Sequence, residues 1–447
     1  MEKRMSIKYN IKNLFILLIT IIYIFLFIFC NVFLPNGDFS VTNIIISSLS
    51  FFIFIFALKK LRKGLFASNI FLLFFYIGLA LNGLELSLLQ NKKEAIDIYF
   101  FFCGPLVFYI ILSFIEKVRI KKVNFYKIKV NGNYFAISIF LIYLLLRIII
   151  FKKTGIKLLD QNFLMQDNDL YSISGLSGLC STLMLVSLML MHEGGKIYRI
   201  VVTIIIILFE CFFMVSRGQI IKIGTFLFMY LLNCNKEIFL YSNIKLKNTI
   251  KIKLFFLFFL LTILSILIFV YFGEIRQSIR TCGIYSIINV TKVKIKSTSL
   301  AWLYSYYPLN YDVLRMYYLN GISCLGYPST LLMPVVRLVF NNPQLYKEMM
   351  VSTSSINLNG FNAATFLSNY VNDLGYLYFI ELSILALYIG FLEKLSIMYR
   401  CVGLQTYILM LVTLFVFGDY SMGAYYVLAA LIVIFLQVFF IKERKND

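Results

Sequence analysis

What most constrains this chain is a succession of apolar runs, each close to the length of a membrane-crossing helix. Such a helix needs about 20 apolar residues, with a tolerated range of about 17–25. Twelve runs approach or meet this, at 14–30, 43–58, 65–84, 98–115, 134–151, 176–192, 200–215, 219–232, 254–272, 374–392, 401–417 and 423–441. The run at 219–232 is the shortest and reads equally as a broken or re-entrant segment. Composition agrees: 61% of the 447 residues are apolar and only 14% charged, against about 45–50% and about 25% in soluble domains. A single core could not hide that excess, which leaves lipid as its solvent. A soluble enzyme, a secreted disulfide scaffold and a disordered tail are all excluded. The fold class expected is an all-α polytopic integral membrane protein with about twelve transmembrane helices.

The net charge of +21 first suggests nucleic acid, but its distribution points elsewhere. With the amino terminus inside, the inner segments carry 26 Lys and Arg, including Lys59, Lys60, Arg62 and Lys63 in one short turn. The short outer loops carry 6. Basic residues in short loops orient a membrane protein with those loops in the cytoplasm, where they face anionic lipid. Both termini are therefore expected inside, and no nucleic-acid partner is expected. The basic leader Lys3, Arg4, Lys8 and Lys12 resembles a signal peptide. However, the apolar run behind it is too long and no small-residue cleavage site precedes Asn31, so it reads as a retained anchor.

One connection is not short. Residues 273–373 form an outer loop between the ninth and tenth runs, dividing the chain into 1–272, the loop, and 374–447. Structureless loops of that length are uncommon and usually functional. Four of the six prolines lie here (Pro308, Pro328, Pro334 and Pro343), and 309–319 and 330–339 between them have helical periodicity. These stretches are expected to lie flat on the membrane or to re-enter it under cover of protein. Cys282 and Cys324 share the loop, either paired or free.

Four ionisable side chains fall inside runs: Arg147, Glu210, Lys222 and Glu381. Charge in hydrocarbon is costly, so each is a candidate for function. The bland alternative is snorkelling, with a Glu210–Lys222 pair joining two helices. Arg217, in the tight turn Ser216-Arg217-Gly218, joins Arg276, Arg280 and Arg315 as outer guanidinium groups. Their planar forks match two phosphate oxygens at once, as a lipid-linked pyrophosphate requires. Nonspecific headgroup contact is the alternative. Trp302, Tyr304, Tyr306, Tyr307, Tyr311, Tyr317 and Tyr318 crowd into one stretch. They suit an interfacial aromatic belt, the preferred reading, or stacking on sugars, for which Tyr304, Tyr307 and Tyr311 are the candidates.

The one histidine, His192, sits at the inner edge, so an outer histidine triad or zinc cluster is not expected. No glycine-rich nucleotide motif occurs, and neither metal nor cofactor is called for. A donor that carries its own leaving group fits better.

From Phe209 onward the chain resembles the oligosaccharide repeat-unit polymerases, including bacterial O-antigen polymerases. The resemblance rests on three pieces. Ser216-Arg217-Gly218 ends a central helix, and Arg276 and Arg280 open a long outer loop. Phe361-Asn362-Ala363-Ala364-Thr365-Phe366 then leads through Tyr370, Asp373 and Gly375 into the next run, with Tyr378 where a second glycine is common. The resemblance implies glycosyl transfer on the outer face of a bacterial plasma membrane, building lipopolysaccharide O-antigen or a similar polymer. One undecaprenyl-pyrophosphate-linked chain is donor and another lipid-linked repeat unit is acceptor. A flippase and a chain-length regulator are implied as partners. In that reading Arg217, Arg276, Arg280 and Arg315 hold the pyrophosphate. Asp373, Asp312 or Glu381 takes the acceptor proton, the three left unresolved. A lipid-linked oligosaccharide flippase and an O-antigen ligase are the rivals. The first should show two related halves, and the second typically uses an outer histidine.

Overall fold

A computed structural model describes residues 16–33, 40–61, 64–90, 92–118, 130–157, 171–173, 175–214, 216–234, 270–271, 273–274, 287–294, 297–319, 324–340 and 365–441. Among these residues the chain is helical, and β pairing is confined to two isolated bridges, Ser87 with Val293 and Val130 with Ile441. The helices are α1 (Ile16–Asn31), α2 (Val41–Lys60), α3 (Ala67–Asn82), α4 (Ala95–Lys117), α5 (Gly132–Thr154) and α6 (Leu176–His192). Next come α7 (Gly195–Ile206, continued as a π-helical stretch Ile207–Phe213) and α8 (Arg217–Cys234). After the short turn Ile287–Thr291 follow α9 (Thr298–Tyr306), α10 (Asn310–Leu319) and α11 (Ser329–Leu338). The last four are α12 (Leu367–Leu374), α13 (Tyr378–Met398), α14 (Val402–Leu414) and α15 (Ala424–Phe439).

Among the described residues four stretches are long and apolar enough to cross a membrane: α2, α4, α5 and the continuous Leu367–Met398. The other expected runs fall on shorter helices, except 254–272, of which only 270–271 are described. Sidedness within the long helices is inverted relative to a soluble bundle. In α5 the buried face is Ala136, Phe140, Tyr143, Arg147 and Ile150, while Leu141, Leu145 and Ile148 point outward, Leu145 at 61% exposure. In α2 the buried face carries Asn43, Ser47 and Ser50 while Phe52 is 69% exposed. Water would select the opposite arrangement. Lipid permits this one, because the polar groups find partners only inside the protein.

Helices α3 and α14 form the centre. Twelve of the 16 residues of α3 and eleven of the 13 of α14 are buried. An aromatic cluster joins them. Phe366 stacks on Phe415 with centroids 4.4 Å apart, and Phe71 meets Phe108 and Phe366 edge-on at 4.8 and 5.7 Å. The first N–H groups of α3, which have no partner within their own helix, are taken by carboxylates. Ala67 donates to Glu393 at 2.8 Å and Ser68 to Glu116 at 3.2 Å. Negative charge at a helix start also complements its dipole.

Where α4 meets α13, Gly104 has no room for a side chain: an added Cβ would lie 2.3 Å from the Tyr378 ring. Gly104 donates its N–H to the Tyr378 hydroxyl at 2.8 Å, and that hydroxyl donates to Phe100 O at 3.0 Å. The π-helical turn Tyr99–Cys103 exposes the carbonyl for this contact. Tyr378 therefore packs into a glycine supplied by another helix.

The described part of the expected loop is neither structureless nor peripheral. Helix α10 is largely buried, with Tyr311, Val313 and Leu314 fully enclosed. Tyr311 donates to the carbonyl of Phe75, and Tyr307 to that of Phe74 at 2.5 Å, both midway along α3. The aromatic-belt expectation is corrected here. Trp302, Tyr304, Tyr311 and Tyr317 are core residues, and the Tyr304 and Tyr311 hydroxyls reach the α3 carbonyls of Asn82 and Phe75. Cys282 lies outside the described residues, and Cys324 sits against Gly375, whose φ of +56° opens the turn between α12 and α13.

Candidate functional site

Three of the candidate residues, Arg315, Asp312 and Tyr304, are drawn into a buried network that joins the loop helices to α3 and α4. Glu94 and Asp97 form a capping box at the start of α4, Glu94 N–H donating to Asp97 Oδ2 at 2.7 Å. Asp97 Oδ1 then accepts Arg315 Nε at 2.9 Å and the Tyr318 hydroxyl. Arg315 also donates to Lys92 O at 2.8 Å and has Asp312 one turn back, 3.8 Å from Nη1. Asp312 Oδ2 accepts Gln90 Nε2 at 2.8 Å and the Asn82 amide. Tyr304 donates to Gln90 Oε1 at 2.6 Å and receives Leu86 N–H at 3.2 Å. Arg315 is 2% exposed, and its fork is engaged by the protein itself. Tyr304, Tyr307 and Tyr311 likewise direct their hydroxyls at protein groups. This placement corrects three expectations. Arg315 does not offer a free grip, Asp312 is held by amides, and the tyrosines do not face an open sugar site. Breaking one member of such a pair costs about 3–5 kcal/mol, so the network fastens α10 in place.

Beside it, Glu85 and Lys93 form a looser ion pair at 3.9 Å, with the Lys93 side chain fully buried. Burial pushes the Glu85 carboxyl up from its usual range, against the pull of Lys93.

The second group gathers around the junction of α12 and α13. Asp373 is fully buried, accepting Ser329 Oγ at 2.5 Å and Thr330 N–H at 2.7 Å. It thus caps the start of α11. Leu325 and Gly326 donate their N–H groups to the carbonyls of Asn372 and Asp373 at 3.1 and 2.9 Å, closing the clasp. Glu381 lies two turns further on, 1% exposed, and neither carboxylate oxygen has a hydrogen-bond partner among the described residues. It is close enough to Asp373 for the two to interact electrostatically. Thr330 Oγ1, Thr365 Oγ1 and Asn372 Nδ2 are also buried without partners.

Tyr370 completes the group by donating to Asp419, whose other oxygen accepts Ser421 N–H at 2.8 Å and Ser421 Oγ at 2.5 Å. Asp419 lies between α14 and α15, and burial raises its carboxyl while the Ser421 and Tyr370 hydrogen bonds oppose the rise. A buried polar group without a partner costs about 1–3 kcal/mol, more when charged. Of the three candidate bases, Asp312 and Asp373 each have hydrogen-bond donors, whereas Glu381 retains both its oxygens for another group. Asp419 was not singled out from sequence. A lone acid in a five-residue outer turn was its only signal there.

The intramembrane charges pair differently from the expectation. Glu210, in the π-helical stretch of α7, accepts Tyr143 at 2.9 Å and forms its salt bridge with Arg147 of α5. Both charged groups are buried, at 6% and 4% exposure. Among the described residues, Lys222 of α8 has no carboxylate partner. Its ammonium lies 4.4 Å from the Tyr420 ring centroid and 5.7 Å from that of Tyr426. Cation–π contacts contribute about 0.5–2 kcal/mol, comparable to a lysine insertion cost of about 2.5–3.5 kcal/mol at mid-helix. The rings hold the charge without cancelling it. Arg217 opens α8 and its side chain lies outside the described residues, as do Arg276 and Arg280 entirely. Among the described residues no group of three or more His, Cys, Asp or Glu is arranged to hold a metal ion.

Compared with known protein families, characterised proteins and solved structures, the chain matches none.

Proposed function

We propose that this chain is a glycosyl-transferring polymerase of a bacterial plasma membrane. It crosses the bilayer about twelve times with both termini in the cytoplasm, and extends undecaprenyl-pyrophosphate-linked oligosaccharide into O-antigen or a similar polymer. The single observation that carries the reading is Glu381: a buried carboxylate in an apolar helix, beside Asp373, with both oxygens unpaired among the described residues. Ionisable groups of this kind inside membrane helices are expensive and mark function. The family resemblance supplies the reaction class.

In this reading the acceptor hydroxyl attacks C1 of the donor chain's reducing-end sugar. The new C1–O bond forms as the bond from C1 to the pyrophosphate oxygen breaks. Glu381 takes the hydroxyl proton, and undecaprenyl pyrophosphate leaves as an anion. General-base assistance of this sort is worth about 10²–10⁴-fold. Arg217, Arg276 and Arg280 neutralise the departing pyrophosphate as its charge develops. Asp373 orders α11 against α12 and keeps Glu381 in a carboxylate-rich setting. Glu381 is 1% exposed, so the acceptor reaches it only when the helices above it part. A flippase delivers the substrate, and a chain-length regulator sets when extension stops.

The test is complementation. Cells with the intact repeat-unit pathway but lacking this gene should carry single repeat units, and restoring the gene should restore a ladder of chain lengths. An unchanged ladder in the deletion strain excludes the reading.

A further inference from the structure

Glu381 is buried, and a base that takes a proton must give it up before it can act again. Glu381, Asp373 and Asp419 are three neighbouring acids, and among the described residues none of them forms an ion pair with a lysine or arginine. Carboxylates gathered without a cation hold protons rather than ionise together. Tyr370 stands among all three. It is fully buried, and its hydroxyl donates to Asp419 Oδ2. It also interacts electrostatically with Glu381 and Asp373. Tyr370 and Asp373 are three residues apart on α12, so they share a face of that helix. Asp419 is the member that reaches the surface. It is partly exposed in the turn between α14 and α15, where Ser421 holds its other oxygen. From α13, Tyr388 also interacts electrostatically with Asp419, without a hydrogen bond to it.

We propose that Tyr370 and Asp419 form a path that carries the proton from buried Glu381 to the surface. The Glu381 O–H bond breaks as its proton passes to the Tyr370 oxygen. The Tyr370 O–H bond breaks as its own proton passes to Asp419 Oδ2. One bond forms for each that breaks, and the phenol ends neutral. Asp419 then releases its proton to water, and the Tyr370 hydroxyl turns back to Asp419. Glu381 and Tyr370 are not hydrogen-bonded to each other, so a turn of the Glu381 side chain or one bridging water closes the first step. A phenol suits the middle position because it donates and accepts at a single oxygen. Asp373 does not compete for the proton, because Ser329 and Thr330 already donate to its oxygens. As a step in turnover the path rests on the polymerase reading. As a connection between Glu381 and water it does not.

The test uses the full-length protein in nanodiscs and needs no substrate. The pH is raised rapidly from acid, and time-resolved infrared absorption follows the protonated carboxyl band that Glu381→Gln removes. In the wild type this band should decay after the jump. Tyr370→Phe fills the same space without a hydroxyl and should slow the decay about tenfold or more. Asp419→Asn should do the same, and Asp419→Glu should keep most of the wild-type rate. Imidazole in the buffer should restore part of the Asp419→Asn rate, which a mere loss of packing would not allow. Tyr388→Phe is the control and should leave the rate unchanged. Equal decay in wild type, Tyr370→Phe and Asp419→Asn overturns the proposal, as does slowing by Tyr388→Phe alone or the absence of any Glu381 band. Should Tyr370→Phe fail to fold, the two Asp419 variants decide. Polymer formation is measured on the same samples. Wild type that makes no polymer but loses the Glu381 proton through Tyr370 removes the polymerase reading and supports the path. Polymer made at equal decay rates removes the path alone.

Discussion

The Arg147–Glu210 pair gives the sharpest test of how the helices are arranged. Both side chains are more than nine-tenths buried, and Glu210 has a second donor in Tyr143. Arg147→Met removes the charge partner but leaves Glu210 enclosed with one neutral hydrogen bond. A buried pair broken on one side loses about 3–5 kcal/mol. Glu210→Gln keeps an acceptor for Tyr143 but strands Arg147, with a loss of the same order. The double variant buries no charge and should return to within about 1 kcal/mol of wild type, since uncharged replacements of buried pairs are often neutral. The cycle therefore predicts a large favourable coupling between positions 147 and 210. Repeating it with Lys222→Met against Glu210→Gln should give coupling within about 0.5 kcal/mol, the ordinary error for sites that share no partner. The assay is equilibrium unfolding in mixed micelles, followed by accessibility of Cys180 and Cys211, both buried. Strong coupling at 210–222 and none at 147–210 would refute the arrangement of α5, α7 and α8.

Four further outcomes follow. Arg315→Met should lower folding yield by destabilising the Asp97–Arg315–Asp312 network by about 3–5 kcal/mol, without changing the chain lengths made by the protein that does fold. Arg217→Ala should abolish polymer at matched expression while single repeat units still reach their final acceptor, with Arg217→Lys recovering little because an ammonium cannot grip two oxygens in a plane. A normal ladder from both Arg217→Ala and Arg276→Ala removes those arginines from the site. Cysteine labelling at Ser352 should succeed only from the outer side, and labelling only from the cytoplasm inverts the topology. Asp419 holds its proton to higher pH when folded than when unfolded. Its contribution to stability should therefore fall as pH climbs from the unfolded value of about 3.9 toward the raised folded one. Asp419→Asn should flatten the stability–pH slope in that window, and an unchanged slope means the carboxyl is solvated.

The long helices were legible in the sequence because a run of membrane-crossing length declares itself: 134–151 announces α5 whatever its neighbours do. The helical periodicity of 309–319 was legible for a similar local reason. What the residues could not give was partner choice. Glu210 had Arg147 and Lys222 as alternatives, both on apolar helices, and only the placement of the π-helical stretch beside α5 decides between them. The crowded tyrosines of α9 and α10 have one composition whether they line an interface or fill a core. Their burial depends on hydroxyl acceptors at Phe74 and Phe75, more than two hundred residues away in sequence. The three candidate bases were equivalent as letters. They differ only once Ser329, Thr330, Gln90 and Asn82 are seen to occupy two of them.

The central claim is that Glu381 takes a proton during transfer between two lipid-linked chains. Its most direct test is single-turnover reaction of the purified protein in liposomes with a labelled undecaprenyl-pyrophosphate-linked repeat unit. Wild type should yield linked repeats with one undecaprenyl pyrophosphate released per bond formed. Glu381→Gln, whose fold is checked by unfolding, should slow that step about a hundredfold or more with substrate binding retained. Equal rates for the two proteins, or no linked product from wild type, would contradict the account.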